Sequence, residues 1–198
     1  MSKTIDLILA SSSPRRKELL SQIGVRFTVN PVAICEDVNP GEAAEAYVAR
    51  LALEKAQASF ALTAGELPVL GSDTTVVFDR KIMGKPRSES EAIATLLSLS
   101  GKEHEVITGV AVVSAEQTLS SVVKTKVKFK TLNEDICRRY WATGEPVDKA
   151  GSYGIQGLGA VFVEGIQGSY SSVVGLPLAE TAELLEQVGI DIWHLDAI

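Results

Sequence analysis

Gly71-Ser72-Asp73-Thr74-Thr75 leads directly into Val76-Val77-Phe78. An aspartate inside an apolar strand is costly unless it is ionised against a cation or a metal. Strand propensity also disfavours aspartate there, so we read Asp73 as functional rather than as a turn cap or an edge kink. Gly71 just before it permits the close approach of a ligand or another backbone. Lys55 carries a similar tension. Val48, Leu51, Ala58 and Leu62 form an apolar stripe at helical spacing, and Lys55, seven residues after Val48, projects from that stripe. Such a lysine must snorkel to water or find an anion.

Other residues add anion-binding chemistry. Ser11-Ser12-Ser13-Pro14-Arg15-Arg16-Lys17 places hydroxyls and cations at a strand-to-helix turn. The free N–H groups and positive dipole end of a helix start suit a phosphate there. GxxxxGK[ST] is absent, so this is no Walker A loop. A well-capped helix with surface cations is the ordinary alternative. Arg80-Lys81-Ile82-Met83-Gly84-Lys85-Pro86-Arg87 holds cations and no acid, with Lys85 pinned between turn residues. It reads as a polyphosphate clamp or as a solvated basic hairpin. Lys124, Lys126, Lys128 and Lys130 alternate along one face of a strand, where exposure or edge protection is the expected meaning. Glycines crowd Gly151 to Gly159 around Gln156, whose amide offers a donor and an acceptor to a base edge. Glu36 or Asp37 could join Asp73 around a hard cation, since magnesium takes one or two carboxylates and completes its shell with water and phosphate.

These residues need a frame. Ile5 to Ala10 reads as a buried strand. Ser13 reads as an N-cap with Pro14 at the first helical position, and the helix runs to about Gln22 before Gly24. A second helix is expected from Asn39-Pro40 to about Leu62. Pro68 to Phe78 reads as a strand interrupted at Gly71-Ser72-Asp73. Ser88 and Glu91 form a capping-box pattern for a third helix ending near Gly101. Glu103 to Ser114 and Leu119 to Lys130 read as paired strands. Asn133 caps a short helix that stops at Gly144. Short strand-like pieces separate the glycines up to Gly175, and a last helix covers about Leu178 to Gln187. Strands and helices alternate, which predicts an α/β fold with a mixed central sheet flanked by helices, in one domain over 1–198.

Composition narrows the function. The chain has 198 residues, 45% of them hydrophobic, and a net charge of −6. The acidity argues against nucleic-acid binding. Cys35 and Cys137 cannot form a disulfide framework or a zinc ribbon, and only His104 and His194 are available for histidine chemistry. The N-terminal apolar run is too short to span a membrane and has poor flanks for a signal peptide, so a soluble cytoplasmic protein is expected. All 19 cations lie at or before Lys149, balanced there by 19 acids, and the last six acids have no cation among them. The overall charge therefore hides local sites suited to a small polyanion.

The run Leu7-Ile8-Leu9-Ala10-Ser11-Ser12-Ser13-Pro14-Arg15-Arg16 resembles the opening signature of the Maf family of nucleoside triphosphate pyrophosphatases. The likeness continues, in order, through Glu54-Lys55-Ala56, Gly71-Ser72-Asp73-Thr74, Gly84-Lys85-Pro86, Asp148-Lys149-Ala150-Gly151 and Val174-Gly175-Leu176-Pro177. It implies a fold like that of inosine-triphosphate pyrophosphatases, with a central sheet and a cleft between two lobes. It implies cleavage of a nucleoside triphosphate to the monophosphate and pyrophosphate, dependent on a divalent metal such as Mg2+ or Mn2+. By this resemblance Asp73 matches the proton acceptor, and Ser11, Arg16, Glu36, Lys55 and Lys85 match polar cleft positions. Glu36 and Asp73 become the metal candidates. Arg15, Thr74 and Gln156 are similar to the branch acting on dTTP and UTP, whereas the branch acting on 7-methyl-GTP has tryptophan and glutamate in place of Arg15 and Gln156. Modified pyrimidine triphosphates are a broader option. A homodimer is the family expectation, and a nucleotide-binding regulator of septum formation or cell division is the rival function.

Overall fold

The computed structural model describes residues 5–194. It has the expected mixed α/β architecture, with a central sheet flanked by helices. The sheet order is β2 (Phe27–Val29), β1 (Leu7–Leu9), β3 (Val69–Phe78), β5 (Glu103–Val113), β6 (Thr118–Phe129) and β7 (Val163–Gln167), with β4 (Lys81–Met83) paired to β3. β1 runs parallel to β2 and β3, while the β3–β4 and β6–β7 pairs are antiparallel. The helices are α1 (Pro14–Gln22), α2 (Ala44–Leu62), α3 (Glu89–Leu99), α4 (Glu134–Trp141), α5 (Tyr170–Val174) and α6 (Leu178–Gln187). Among the described residues, no helix is long and apolar enough to cross a membrane.

Local chemistry explains most boundaries. Pro14 starts α1 after an extended Ser13, and Gly24 turns left-handed just past its end. Asn133 Oδ1 accepts the Ile136 N–H at the start of α4. Ser88 Oγ accepts the Glu91 N–H as a capping box requires, but the Glu91 carboxylate takes the Arg87 N–H instead of closing the box on Ser88.

Four expectations need correction. β1 is shorter than Ile5 to Ala10. α2 starts at Ala44 and not at Asn39-Pro40. There Glu42 N–H donates to the Asn39 carbonyl, Gly41 is left-handed, and the Glu42 carboxylate accepts the Asn39 N–H, so these residues close a turn ahead of the helix. β3 is not interrupted, because Ser72 and Asp73 each have a polar partner and need no break in the ladder. Between Gly151 and Gly175, β7 is the strand, and 3-10 turns and α5 stand where other strand-like pieces were expected.

The chain divides into two compact units. Residues up to Asp73, Thr108–Val123 and those from Gly175 onward form the first; Thr74–Ile107 and Lys124–Val174 form the second. The first encloses fully buried Leu7, Leu9, Leu51, Leu70, Leu176 and Leu185. The second is centred on aromatic rings packed edge to face: Phe129 lies 4.8 Å from His104 and 4.7 Å from Tyr153, and Phe162 lies 4.9 Å from Tyr140.

Candidate active site

In the first unit, α2 lies hard against the sheet. A Cβ on Gly71 would stand 2.2 Å from the Ala52 carbonyl oxygen and 2.8 Å from the Ala56 nitrogen, and one on Gly109 would stand 2.4 Å from the Val48 carbonyl oxygen. The missing side chains let the helix backbone approach β3 and β5 this closely. That approach sets Lys55 on α2 opposite Asp73 on β3.

Lys55 is only 8% exposed and Asp73 9%. Lys55 Nζ lies 2.7 Å from Asp73 Oδ1 and 2.6 Å from Glu36 Oε1. The lysine has therefore found anions and does not snorkel. Asp73 Oδ2 makes no hydrogen bond among the described residues. One carboxylate oxygen is fixed by a cation while the other remains available as an acceptor, which suits a proton-accepting base.

Glu36 sits on the segment between β2 and α2, which α2 clips in place. Tyr47 Oη donates to the Glu36 carbonyl at 2.9 Å, and Arg50 Nη2 donates to the Asp37 carbonyl at 3.0 Å. Asn30 Nδ2 donates to Ser59 Oγ, and Ser59 Oγ donates to the Asn30 carbonyl, both at 3.1 Å. Arg50 also grips the Glu42 carboxylate with two bonds of 2.7 Å, and these hold that carboxyl down at about 2. Burial, with the charges of Asp73 and Glu36, pushes the Tyr47 phenol up to about 12, so it remains a donor through the neutral range. The sequence reading missed Tyr47 and Arg50. The one available signal was the Arg50–Glu54 spacing, which forms an i,i+4 pair at 3.4 Å.

Arg16 on α1 completes this cluster. Its Nη1 donates to Ser11 Oγ at 3.3 Å and its Nε to the Gly175 carbonyl at 2.8 Å. Ser72 Oγ donates to the same carbonyl at 3.0 Å. Gly175 adopts φ 134°, a conformation that favours glycine. Burial lowers Arg16 from its ordinary value, opposed by Asp73 and reinforced by Arg15. Ser11 Oγ also accepts the Ser13 N–H at 3.2 Å, and its own proton has no acceptor among the described residues. That hydroxyl is thus a donor suited to a phosphate oxygen. Arg15 is partly buried on α1.

The remaining candidates belong to the second unit. Thr74 follows Asp73 on β3 and is partly buried. Lys85 is exposed between β4 and α3, and Gln156 is exposed within the glycine-rich turns. Lys124, Lys126 and Lys128 are exposed and pair with Glu105, Glu103 and Glu164, in keeping with a solvated strand face.

A family model described as Maf-like protein matches residues 6–188. The chain belongs to the Maf family. This Maf chain is 52% identical over 187 residues to a dTTP/UTP pyrophosphatase of Vibrio parahaemolyticus serotype O3:K6, covering 94% of this chain and 99% of the relative. It is 54% identical over 187 residues to one of Methylobacillus flagellatus, covering 94% of each. With one of Saccharophagus degradans it shares 50% over 192 residues, covering 96% of this chain and 91% of the relative. A nucleoside-triphosphatase / dITP/XTP pyrophosphatase structure from Mycobacterium abscessus overlaps it in part, with TM-score 0.44 and 17% identity over 63% of this chain and 74% of that one.

Among the described residues of the Maf chain, no group of three or more His, Cys, Asp or Glu could cage a metal ion. The Glu36 and Asp73 carboxylates, which share one ammonium, are the donors present in the cluster. Such a set fits a hard cation that takes one or two carboxylates and fills its remaining positions with water and phosphate oxygens.

Proposed function

We propose that this chain hydrolyses dTTP and UTP to the nucleoside monophosphate and pyrophosphate. The observation that carries the reading is the Lys55 ammonium held between buried Asp73 at 2.7 Å and Glu36 at 2.6 Å. Relatives named dTTP/UTP pyrophosphatase, 50–54% identical over nearly the whole chain, support it over a purely regulatory nucleotide-binding role.

Asp73 Oδ2 accepts a proton from water as the water oxygen bonds to the α-phosphorus. The bond from that phosphorus to the bridging oxygen of the β-phosphate breaks, and pyrophosphate leaves with the bond pair. Asp73 then returns the proton to solvent. Lys55 keeps Asp73 oriented. Arg16, Ser11 and Lys85 bind triphosphate oxygens, placing charge where it develops in the transition state. A divalent cation such as Mg2+ or Mn2+ would be held by Glu36 or Asp73 together with phosphate oxygens, and would supply Lewis-acid neutralisation of phosphate charge. Arg15, Thr74 and Gln156 select the base. The neutral amide of Gln156 suits uracil or thymine, each of which presents both a donor and acceptors on its edge.

The expected products from dTTP are dTMP and pyrophosphate in equal amounts. Asp73→Asn should lower kcat by about 10²- to 10⁴-fold, the usual contribution of a general base, while the protein stays folded by circular dichroism. A variant that keeps most of its activity removes Asp73 from this role. Gln156→Glu should lower kcat/KM for dTTP and UTP, and an unchanged base preference removes Gln156 from base selection.

A further inference from the structure

The glycine-rich turns that carry Gln156 are assembled around one carboxylate. Glu145 follows left-handed Gly144 at the end of the α4 connection. Its Oε1 accepts the Tyr140 hydroxyl at 2.7 Å and the Gly159 N–H at 3.0 Å, and its Oε2 accepts the Leu158 N–H at 2.7 Å. Tyr140 Oη in turn accepts the Gly154 N–H at 3.0 Å. The backbone is thus tethered on both sides of Gln156, at 154 and at 158–159, to a single side chain and its phenol partner.

The fit leaves no slack. A Cβ on Gly157 would stand 2.3 Å from Glu145 Oε2, and one on Gly159 would stand 2.6 Å from Tyr140 Oη. The glycines therefore serve close approach to Glu145 and not loop flexibility. Ile155 is buried on one side of Gln156, and Tyr153 lies 2.9 Å, Oη to Nε2, from buried His104. Gln156 is exposed between these anchors. Burial opposes the Glu145 charge, but the bonds from Tyr140, Gly159 and Leu158, with Lys149 nearby, hold its carboxyl below the ordinary range. An acceptor-only group suits three converging donors, whereas a glutamine would turn its NH2 toward at least one N–H.

We propose that Glu145 is a positioning residue for base selection: it fixes the backbone from which Gln156 meets the pyrimidine edge. This rests on Gln156 reading the base. A fixed backbone holds the amide at the height where its donor and acceptor meet the O4 and N3–H of uracil or thymine, and a slack one loses that registration and with it the advantage of UTP. Glu145 acts on recognition and leaves the chemistry at Asp73 untouched.

The test compares kcat and KM for UTP and CTP in the full-length wild type, Glu145→Gln, Gln156→Ala and the double variant. Glu145→Gln is expected to lower the UTP-to-CTP ratio of kcat/KM about tenfold, the scale of one lost hydrogen bond, chiefly through the KM for UTP. In the Gln156→Ala background the same change should lower the ratio no further. Equal losses on UTP and CTP would mark Glu145 as merely structural and overturn the proposal, as would additive losses in the double variant. A ratio altered by Gln156→Ala but not by Glu145→Gln overturns the proposal and leaves the base-reading role standing. A ratio unaltered by Gln156→Ala removes that role, and the proposal with it. Should Glu145→Gln fail to fold, Tyr140→Phe removes the Gly154 tether and the phenol's bond to Glu145 while leaving the Leu158 and Gly159 tethers in place. It is expected to give a smaller drop in the ratio, and no drop overturns the proposal.

Discussion

Lys55 ends its side chain between two carboxylates in a nearly dry setting, and that geometry has a thermodynamic consequence. Removing one partner of a buried pair costs more than the pair itself contributes, because the other charge stays behind. Lys55→Met should therefore lower the unfolding free energy by about 3 kcal/mol in urea denaturation. The double variant Lys55→Met/Asp73→Asn should recover most of that loss, since no charge is then stranded on β3. A single variant as stable as the wild type would mean that solvent, not Lys55, satisfies Asp73. Asp73 was legible in the sequence because a carboxylate before Val76-Val77-Phe78 has few inexpensive explanations. Lys55 was legible as a conflict, though not its resolution. Apart from the Arg50–Glu54 spacing, Tyr47 and Arg50 left no mark in the sequence for a physical reason: they act on the main-chain carbonyls of Glu36 and Asp37, which carry no residue-type signature.

At the level of elements, the site depends on how closely α2 lies on β3. Gly71→Ala places a methyl 2.2 Å from the Ala52 carbonyl oxygen, so helix or strand must move. Overpacking of this kind should cost about 3 kcal/mol, seen as a lower thermal midpoint. It should also lower kcat, because the shift separates Lys55 from Asp73. Wild-type kcat in a destabilised Gly71→Ala protein would show that the pair tolerates the displacement. The sequence placed most helices and strands well where a cap, a proline or a glycine acts locally, as at Pro14, Asn133 and Gly24. It failed at Asn39-Pro40, where left-handed Gly41 and the bonds between Glu42 and Asn39 close a turn ahead of α2. It failed again at Gly71-Ser72-Asp73, where distant partners, Gly175 for Ser72 and Lys55 for Asp73, let a polar stretch continue as strand. The second failure comes from distant contacts overriding local preference.

For the whole molecule, the −6 net charge conceals a division of labour among the cations. The lysines of β6 are matched by glutamates, while Arg16 and Lys55 are drawn into the cluster around Asp73. Stability should also carry a pH signature from the second unit. Burial lowers His104 to about 4, partly opposed by Glu103. The unfolded chain binds that proton near pH 6.5 and the folded chain only near 4, so this contribution is complete above about pH 6.5 and is lost as the pH falls toward 4. It amounts to about 3 kcal/mol. In urea unfolding between pH 7.5 and 4.5 (a range chosen about those two values), His104→Leu should show a shallower fall than the wild type, and identical slopes would place His104 in water. The central claim is tested most directly by pyrophosphate release from a panel of nucleoside triphosphates with the divalent cation supplied. The account predicts dTTP and UTP as the best substrates, ahead of CTP and the purine nucleotides by about tenfold or more in kcat/KM, with the monophosphate and pyrophosphate formed in equal amounts. Preference for a purine nucleotide, release of orthophosphate in place of pyrophosphate, or no turnover of any triphosphate would contradict it.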